Sequence, residues 1–533
     1  MKINTKILLT KLEDKYPKQE AAKLYKKYIY LFKKDLQEDL DYLSKIFTSL
    51  LEKNNEFENK LGMYKRLLED KNYLKNNLFL KFLFKESQEN KDSINKYLYE
   101  IEKLNNLTIA NEDHLHEFEM KITTFKEMYK LISTKVASLF SGPDWRSPAY
   151  SGSLYGNIFD YKDVDINVCN YRRYGYPLIN SLEKWYKEKI FEIKDNRMAA
   201  LITSSGMFAY ALIEDFLTKY ILKPNDLIMT APYIYFENHE QLTKNPILKV
   251  KTLDTYDYKK ILKEILKNKP KAVFLDLITN TGKINLIDLS SLIKELNKIN
   301  FKEKFYFITD LTLTCDAFNP HQYKDDKNSN FRIISFESFN KYRQLGFDLL
   351  MSGGIIAMKD DITKMERSRR NTGQILYDHY AHLFPRYNKE ISLYRFNKIS
   401  RNANIISSLL FKNNKLAKFI NVDYPLINKK NYKITQKIKN WGGLVTILFK
   451  NNDLNTKVVF DRIINNLILL CKKDRIPISQ GVSFGFESFR ISAAASMAEN
   501  TDTFFRLSCG PNYIYQVLIF IKELEEVLVK FEK

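Results

Sequence analysis

The chain has 533 residues, 44% of them hydrophobic and 14% aromatic, so it can bury more than one core and is not a disordered composition. Its formal charge is +21, with 27 basic against 23 acidic residues over 1–150 and 58 against 41 beyond, and no dense Arg/Lys cluster of the kind that marks a nucleic-acid binder. Cys169, Cys315, Cys471 and Cys509 stand far apart without a CxxC pair, which argues against a zinc site or a disulfide framework.

The chain opens with MKINTKILLTKLEDK, whose apolar run of three residues is too short for a signal peptide. No apolar stretch approaches the length of a membrane span. A reducing cytosol and no membrane contact are the expectation. Residues 1–140 hold one glycine, Gly62, and one proline, Pro17. Leu36, Leu40, Leu43 and Phe47 recur at helical intervals, one stripe of an amphipathic helix. This part is expected to be a helical N-terminal domain that packs or contacts a partner. Its histidines, His114 and His116, are two apart and so point to different helix faces, which does not favour a metal site. SGPDWRSPAYSGSLYG (141–156) is dense in Gly, Pro and Ser and reads as a linker.

Beyond it, short apolar runs alternate with helical patterns. MAALITSS (198–205), DLIMTAP (226–232), KAVFLDLI (271–278) and KFYFITDL (304–311) read as buried strands, with helical stretches at 207–222, 257–268 and 288–299. That alternation predicts an α/β fold with a mainly parallel sheet, whose ligands bind beyond the carboxyl ends of the strands. Three features fall at those ends. TSSGM (203–207) leads small residues into a helix, where free N–H groups and a serine hydroxyl suit a phosphate. Asp310 closes a buried strand, a costly place for a carboxylate without a cation. Lys341 follows the apolar run RII (332–334) within FESFNKYRQLG (336–346). Singly, these are more often a helix cap, a loop salt bridge and a solvated amine. In this order they fit pyridoxal phosphate: lysine for the Schiff base, aspartate for the pyridinium proton, helix start for the phosphate.

Region 150–533 then resembles the Cys/Met-metabolism family of pyridoxal-phosphate enzymes, which includes cystathionine γ-synthase, the cystathionine lyases and methionine γ-lyase. YRRYGYPLINSLE (171–183) is similar to its Y-S-R-x-x-N-P-T…LE segment, TSSGM to its SSGM loop and DLIMTAPYIYFEN to its GD…YGGT. DLT (310–312) is similar to its DNT, SFNKY (338–342) to its S-x-T-K-Y and SLYRFNKISRNA (392–403) to its TL…R…NA. GVSFGFES (481–488) is similar to its SLGG-x-ES, and FRLSCG (505–510) to its R-L-S-x-G. The resemblance implies fold type I, with a cofactor-binding large domain at 157–375 and a smaller C-terminal α+β domain at 376–533.

It also implies roles. Lys341 would carry the cofactor. Ser205, Gly206, Met207, Thr312 and Ser338 would line its phosphate and ring, with Gly206 and Met207 donating backbone N–H groups. Asp310 would pair with the ring nitrogen. Tyr235 would stack on the ring and act as an acid near the leaving group, with Tyr233 competing for that position. Arg506 would clamp the substrate α-carboxylate, assisted by Ser483. Tyr171 and Arg173 would reach a neighbouring subunit's phosphate, implying a homo-oligomer, dimer or tetramer, with shared sites. The implied reaction is β- or γ-elimination or replacement on an amino acid. A fold type I aminotransferase, a non-catalytic scaffold acting through the helical N-terminus and a basic nucleic-acid binder, the last disfavoured by the diffuse charge, are the rival readings. The chain departs from the pattern at GFD (346–348), at ITNTG (278–282), which lacks the proline, at YFEN for YGGT, and at Tyr176 for an asparagine. These changes surround the cofactor and substrate face, so no particular substrate follows.

Overall fold

The computed structural model describes residues 17–68, 78–107, 112–141, 172–325, 328–495 and 503–531, with Leu9, Leu12 and Glu13. The linker 141–156 beyond its first residue, Cys169 and Tyr171 lie outside the described residues. The chain divides into two compact units. One comprises Met1–Trp185 and Ile375–Tyr387, the other Tyr186–Gln374 and Asn388–Lys533.

The first unit is helical. Helices α1 (Lys18–Leu68), α2 (Leu78–Asn105) and α3 (Glu112–Ser141) pack on one another, and the unit also holds α4 (Pro177–Trp185). The stripe Leu36, Leu40, Leu43 and Phe47 is fully buried, as its 3.6-residue period requires of a helix facing a core. Aromatic edges lock the helices, with Phe47 against Tyr129 at 5.5 Å and Phe57 against Phe140 at 5.1 Å between ring centroids. Two buried polar pairs cross between the helices: Asn54 Nδ2 donates to the Ser87 carbonyl at 3.1 Å, and Lys126 meets Asp39 at 3.2 Å. Trp185 Nε1 donates to the Tyr387 carbonyl at 2.7 Å, which ties α4 to the 375–387 segment.

The second unit is α/β and carries two sheets. The first holds β1 (Met198–Thr203), β2 (Leu227–Thr230), β3 (Lys249–Thr252), β4 (Ala272–Phe274), β5 (Phe305–Asp310), β6 (Phe331–Ser338) and β7 (Gly353–Met358). Their spatial order is β1-β7-β6-β5-β4-β2-β3. Strands β2 to β6 are parallel, and β7 runs antiparallel between β1 and β6. The mainly parallel sheet expected from the alternating pattern is therefore present. Its central strands β4 and β5 are almost continuously apolar and buried, as strands covered on both faces must be. Two strands had no clear signal. In β3 the residues KVKT are partly exposed at the sheet edge, and β7 begins with two glycines. Helices α5 (Gly206–Phe216), α6 (Phe236–Lys244), α7 (Tyr258–Asn268), α8 (Leu289–Asn297) and α9 (Lys359–Thr372) flank it.

After α10 (Asp378–Leu383) of the helical unit, the chain returns through α11 (Lys389–Phe411) to a second sheet. This sheet contains β8 (Ile420–Asp423), β9 (Leu444–Phe449), β10 (Ile478–Gln480), β11 (Phe489–Ala494) and β12 (Phe504–Ser508), in the order β10-β11-β12-β9-β8. It is antiparallel except for the β10–β11 pair. Helix α11 packs on β8 and β9, α12 (Lys457–Lys473) on β10 to β12, and α13 (Ile514–Val529) against both helices.

A buried ion network sits beside β6. Arg343 is fully buried and meets both Asp316 and Glu337, the latter at 2.7 Å. Tyr186 donates its hydroxyl to Glu337 at 2.6 Å. Buried charges persist when each finds an opposite charge and further hydrogen bonds, as here.

Candidate active site

Adjacent parallel strands end at the same level, so polar residues that close them meet. Strand β5 ends in Asp310, whose Oδ1 accepts the Thr312 backbone N–H at 2.8 Å and its hydroxyl at 2.5 Å. The same Thr312 oxygen accepts the Ser338 backbone N–H at 2.9 Å. Thr312 thus joins the end of β5 to the end of β6. The chain after β4 supplies a second carboxylate: Asp276 Oδ1 accepts the Asp310 backbone N–H at 3.1 Å, and the Asp276 carboxylate also accepts the backbone N–H of Tyr235. Burial pushes the Asp310 acid up to about 6, opposed by the Thr312 bonds and by the Lys341 charge. Burial and then the Asp310 charge hold Asp276 well above the usual carboxylate range.

Strand β1 feeds α5 through Ser204 and Ser205. The Ser205 hydroxyl caps the helix by accepting the Phe208 N–H at 3.1 Å, and Thr203 Oγ1 donates to the Ser205 carbonyl at 2.8 Å. Gly206 opens the helix hard against Ser338. A Cβ on Gly206 would lie 2.4 Å from Ser338 Cβ and 2.7 Å from its Cα. The missing side chain lets Ser338 sit beside the first-turn N–H groups of Gly206 and Met207, where the positive end of the helix dipole lies.

Strand β6 runs to Ser338, further than the apolar run 332–334 indicates, and Lys341 follows in the turn. Tyr342 anchors that turn: it is buried, and its hydroxyl accepts the Gly443 N–H at 3.1 Å. Lys341 Nζ donates to Ser483 Oγ at 2.6 Å and lies over the Phe484 ring, 5.4 Å from its centroid. Ser483 therefore touches the lysine. Gly485, at φ +86°, brings the 481–488 loop against the Lys341 carbonyl, 2.5 Å from where a Cβ would stand. Burial first, then the Arg506 and Arg490 charges, bring the Lys341 ammonium down to about 8, while Asp348 and Asp310 pull the other way.

Arg506 lies mid-strand in β12 and is buried. Nη1 donates to Asn280 Oδ1 at 3.3 Å and Nη2 to the Val482 carbonyl, while its buried Nε has no partner among the described residues. Tyr233 and Tyr235 both act electrostatically on Arg506 and both sense the Asp310 charge. Burial raises both phenols, and Glu237 adds to the rise at Tyr235, with which it shares a hydrogen bond. The two tyrosines thus lie in one electrostatic neighbourhood.

The second unit gathers Lys341, Asp310, Thr312, Ser338, Ser205, Gly206, Met207, Tyr235, Arg506 and Ser483. Arg173 belongs to the helical unit, half-buried in the short turn Arg172–Tyr174. Sequence reasoning missed Asp276 and Asn280. Asp276 carried a usable signal, since it is a charged residue at the end of the buried run KAVFLDLI. Asn280, in ITNTG, is linked to Arg506 only by the fold.

The donor set fits pyridoxal phosphate. A helix start with a serine pressed against it suits a dianion, a half-buried carboxylate suits a protonated ring nitrogen, and a lysine with lowered proton affinity suits an aldehyde. Sheet, lysine turn and C-terminal sheet together define a fold type I pyridoxal-phosphate-dependent enzyme. The sequence model of the Cys/Met metabolism PLP-dependent enzymes matches residues 148–472. The chain belongs to that family. It is 26% identical over 392 residues to the bifunctional enzyme flvA of Aspergillus flavus, covering 73% of this chain and 46% of that protein. The chain thus spans less than half the length of that relative. Two crystal structures of cystathionine gamma synthase from Xanthomonas oryzae pv. oryzae share the fold at 18% identity. The complex with cystathionine has a TM-score of 0.54, covering 69% of this chain and 90% of that one. The complex with aminoacrylate and cysteine has 0.53, covering 67% and 88%.

Proposed function

We propose that this PLP-dependent enzyme catalyses β- or γ-elimination or replacement on an α-amino acid, with Lys341 as the cofactor's lysine. The observation that carries the reading is the placement of Lys341 Nζ, 2.6 Å from Ser483 Oγ and brought down to about 8 by burial and the neighbouring arginines. An amine poised near neutrality would take a proton from the substrate's α-carbon and return it elsewhere. The bound cofactor supplies an electron sink for the α-carbon. Asp310 would keep the ring nitrogen protonated, Ser205, Gly206, Met207, Thr312 and Ser338 would hold the phosphate end, and Arg506 would take the α-carboxylate. Tyr235 would stack on the ring and serve as the acid near the leaving group. Ser483 holds the lysine in reach of the α-carbon.

The same reading makes the protein a cytosolic homo-oligomer, dimer or tetramer, in which Tyr171 and Arg173 complete a neighbouring subunit's phosphate site. It divides the chain into a helical domain at 1–140, a linker at 141–156, a cofactor domain at 157–375 and a small domain at 376–533.

The test is a visible spectrum of the protein supplied with pyridoxal phosphate, beside Lys341→Ala, followed by a panel of amino acids. A lysine-dependent visible band, with keto acid and ammonia released without a second keto acid, supports the lyase reading. Turnover that needs a keto acid selects the aminotransferase. No band in the wild type overturns catalysis and leaves the scaffold.

A further inference from the structure

The loop 481–488 touches both cations of the site. Ser483 Oγ accepts Lys341 Nζ at 2.6 Å, and the Val482 carbonyl accepts Arg506 Nη2. Its sequence, GVSFGFES, carries a single charged side chain, Glu487. A loop keeps its place only through its packing and bonds, so what Glu487 meets matters.

Helix α11 holds that charge. Arg395, in its second turn, is buried; its Nε donates to Glu487 Oε1 at 3.0 Å, and Nη2 lies 2.9 Å from the same oxygen. Asn402 is seven residues further on and so on the same helix face, and its Nδ2 donates to the Gly510 carbonyl at 2.9 Å. Gly510 lies flat on the end of the loop, where a Cβ would stand 2.6 Å from the Ser488 carbonyl carbon. The lysine turn closes on the same ion pair. At Gly346, φ +86°, a Cβ would stand 2.6 Å from Glu487 Oε1 and nearer still to Arg395 Nη2. At the start of that turn, Gly485 packs on the Lys341 carbonyl. The pair is therefore seated where α11, the loop and the lysine turn meet. A charged hydrogen bond to a planar guanidinium fixes direction as well as distance, which apolar packing does not.

We propose that Glu487 and Arg395 are positioning residues: their ion pair holds the 481–488 loop on the lysine turn, and so sets Ser483 against Lys341 and Val482 against Arg506. Lys341 reports on this. Arg506 and Arg490 face it from the second sheet, Asp310 from the end of β5 and Asp348 from beyond the turn, and burial is the largest influence. A loosened loop admits water to Nζ and frees Arg506, and both changes favour the ammonium form. Loss of the Glu487 charge alone acts the other way, because removing a negative charge disfavours an ammonium. The two causes have opposite signs.

The inference rests on the function proposed above, and the test separates the two. Full-length wild type, Glu487→Gln and the double change Arg395→Met with Glu487→Gln are compared; the double change leaves no buried charge unmatched and serves if the single variant does not fold. Hydrogen exchange of the cofactor-free proteins reads the loop, and the pH dependence of pyridoxal phosphate capture reads Lys341. In the variants the amides of 481–488 should exchange at least about tenfold faster, with those of β5 unchanged. The capture inflection should move upward from about 8 by at least about half a pH unit. An unmoved inflection makes the pair a packing feature, and a downward one makes Glu487 a direct charge on Lys341; either overturns the inference, as does a loop whose exchange is unchanged. A wild type without a visible band overturns the proposed function, and the positioning role falls with it.

Discussion

Asp276, just beyond β4, accepts the backbone N–H of Asp310 at the end of β5, 3.1 Å away. One carboxylate thus fixes the backbone that carries the other, and both acids are raised by burial. An acid whose folded pKa is raised contributes stability that is present below its unfolded value and lost as pH rises through the folded one. Cofactor-free protein should therefore lose stability from about pH 4 upward through about 6 and beyond. In Asp276→Asn the slope should flatten, because one of the two groups no longer ionises. Melting temperatures of the cofactor-free proteins between pH 5 and 8 check this. An unchanged slope would remove Asp276 from the account.

Lys341 titrates near 8 because burial and the Arg506 and Arg490 charges disfavour its ammonium form. Only the neutral amine attacks an aldehyde. The rate of cofactor capture by cofactor-free protein should rise with pH and level off above about 8, well below the ordinary lysine value of about 10.4. Arg506→Met should move the inflection upward by removing the largest opposing charge. Stopped-flow growth of the visible band against pH measures both.

Gly206 stands where a side chain would drive into Ser338, 2.4 Å from its Cβ. Neither the helix start nor the β6 end can move freely, since β6 pairs on both sides. Gly206→Ala should cost about 1–3 kcal/mol of stability, as overpacked sites do, and weaken cofactor binding at least about tenfold. Urea unfolding and equilibrium titration with pyridoxal phosphate read the two effects separately.

Arg343 is the cation of the buried network around Glu337 and Asp316. Arg343→Met leaves two acids and the Tyr186 hydroxyl in a dry site without their counter-charge. The expected loss is about 3–5 kcal/mol, the usual result of removing one partner from a buried pair. A double change, Arg343→Met with Glu337→Gln, should recover part of it, and a double-mutant cycle by urea unfolding gives the coupling. No recovery would mean that the loss comes from packing against Tyr186 and Phe191, over whose rings Arg343 also lies.

Much of this protein is written locally. The stripe from Leu36 to Phe47 predicts its own burial because a helix repeats every 3.6 residues. The apolar runs at β1, β2, β4 and β5 predict a parallel sheet because only strands covered on both faces are apolar throughout. The polar residues that close those runs, Asp310 among them, stand out because a strand end is an expensive place for a charge. The edge strand β3 and the antiparallel β7 lacked such patterns, since partial exposure and glycine both dilute them.

The tertiary structure alone decided which distant residues meet. Gly206 lies against Ser338, Asp276 under the Asp310 amide, Ser483 on Lys341, and Arg490 shares a sheet face with Arg506. Sequence shows the period and the chemistry of each segment, because those depend on neighbours along the chain. Strand order and register pair residues more than a hundred positions apart, and they follow from packing the whole unit at once.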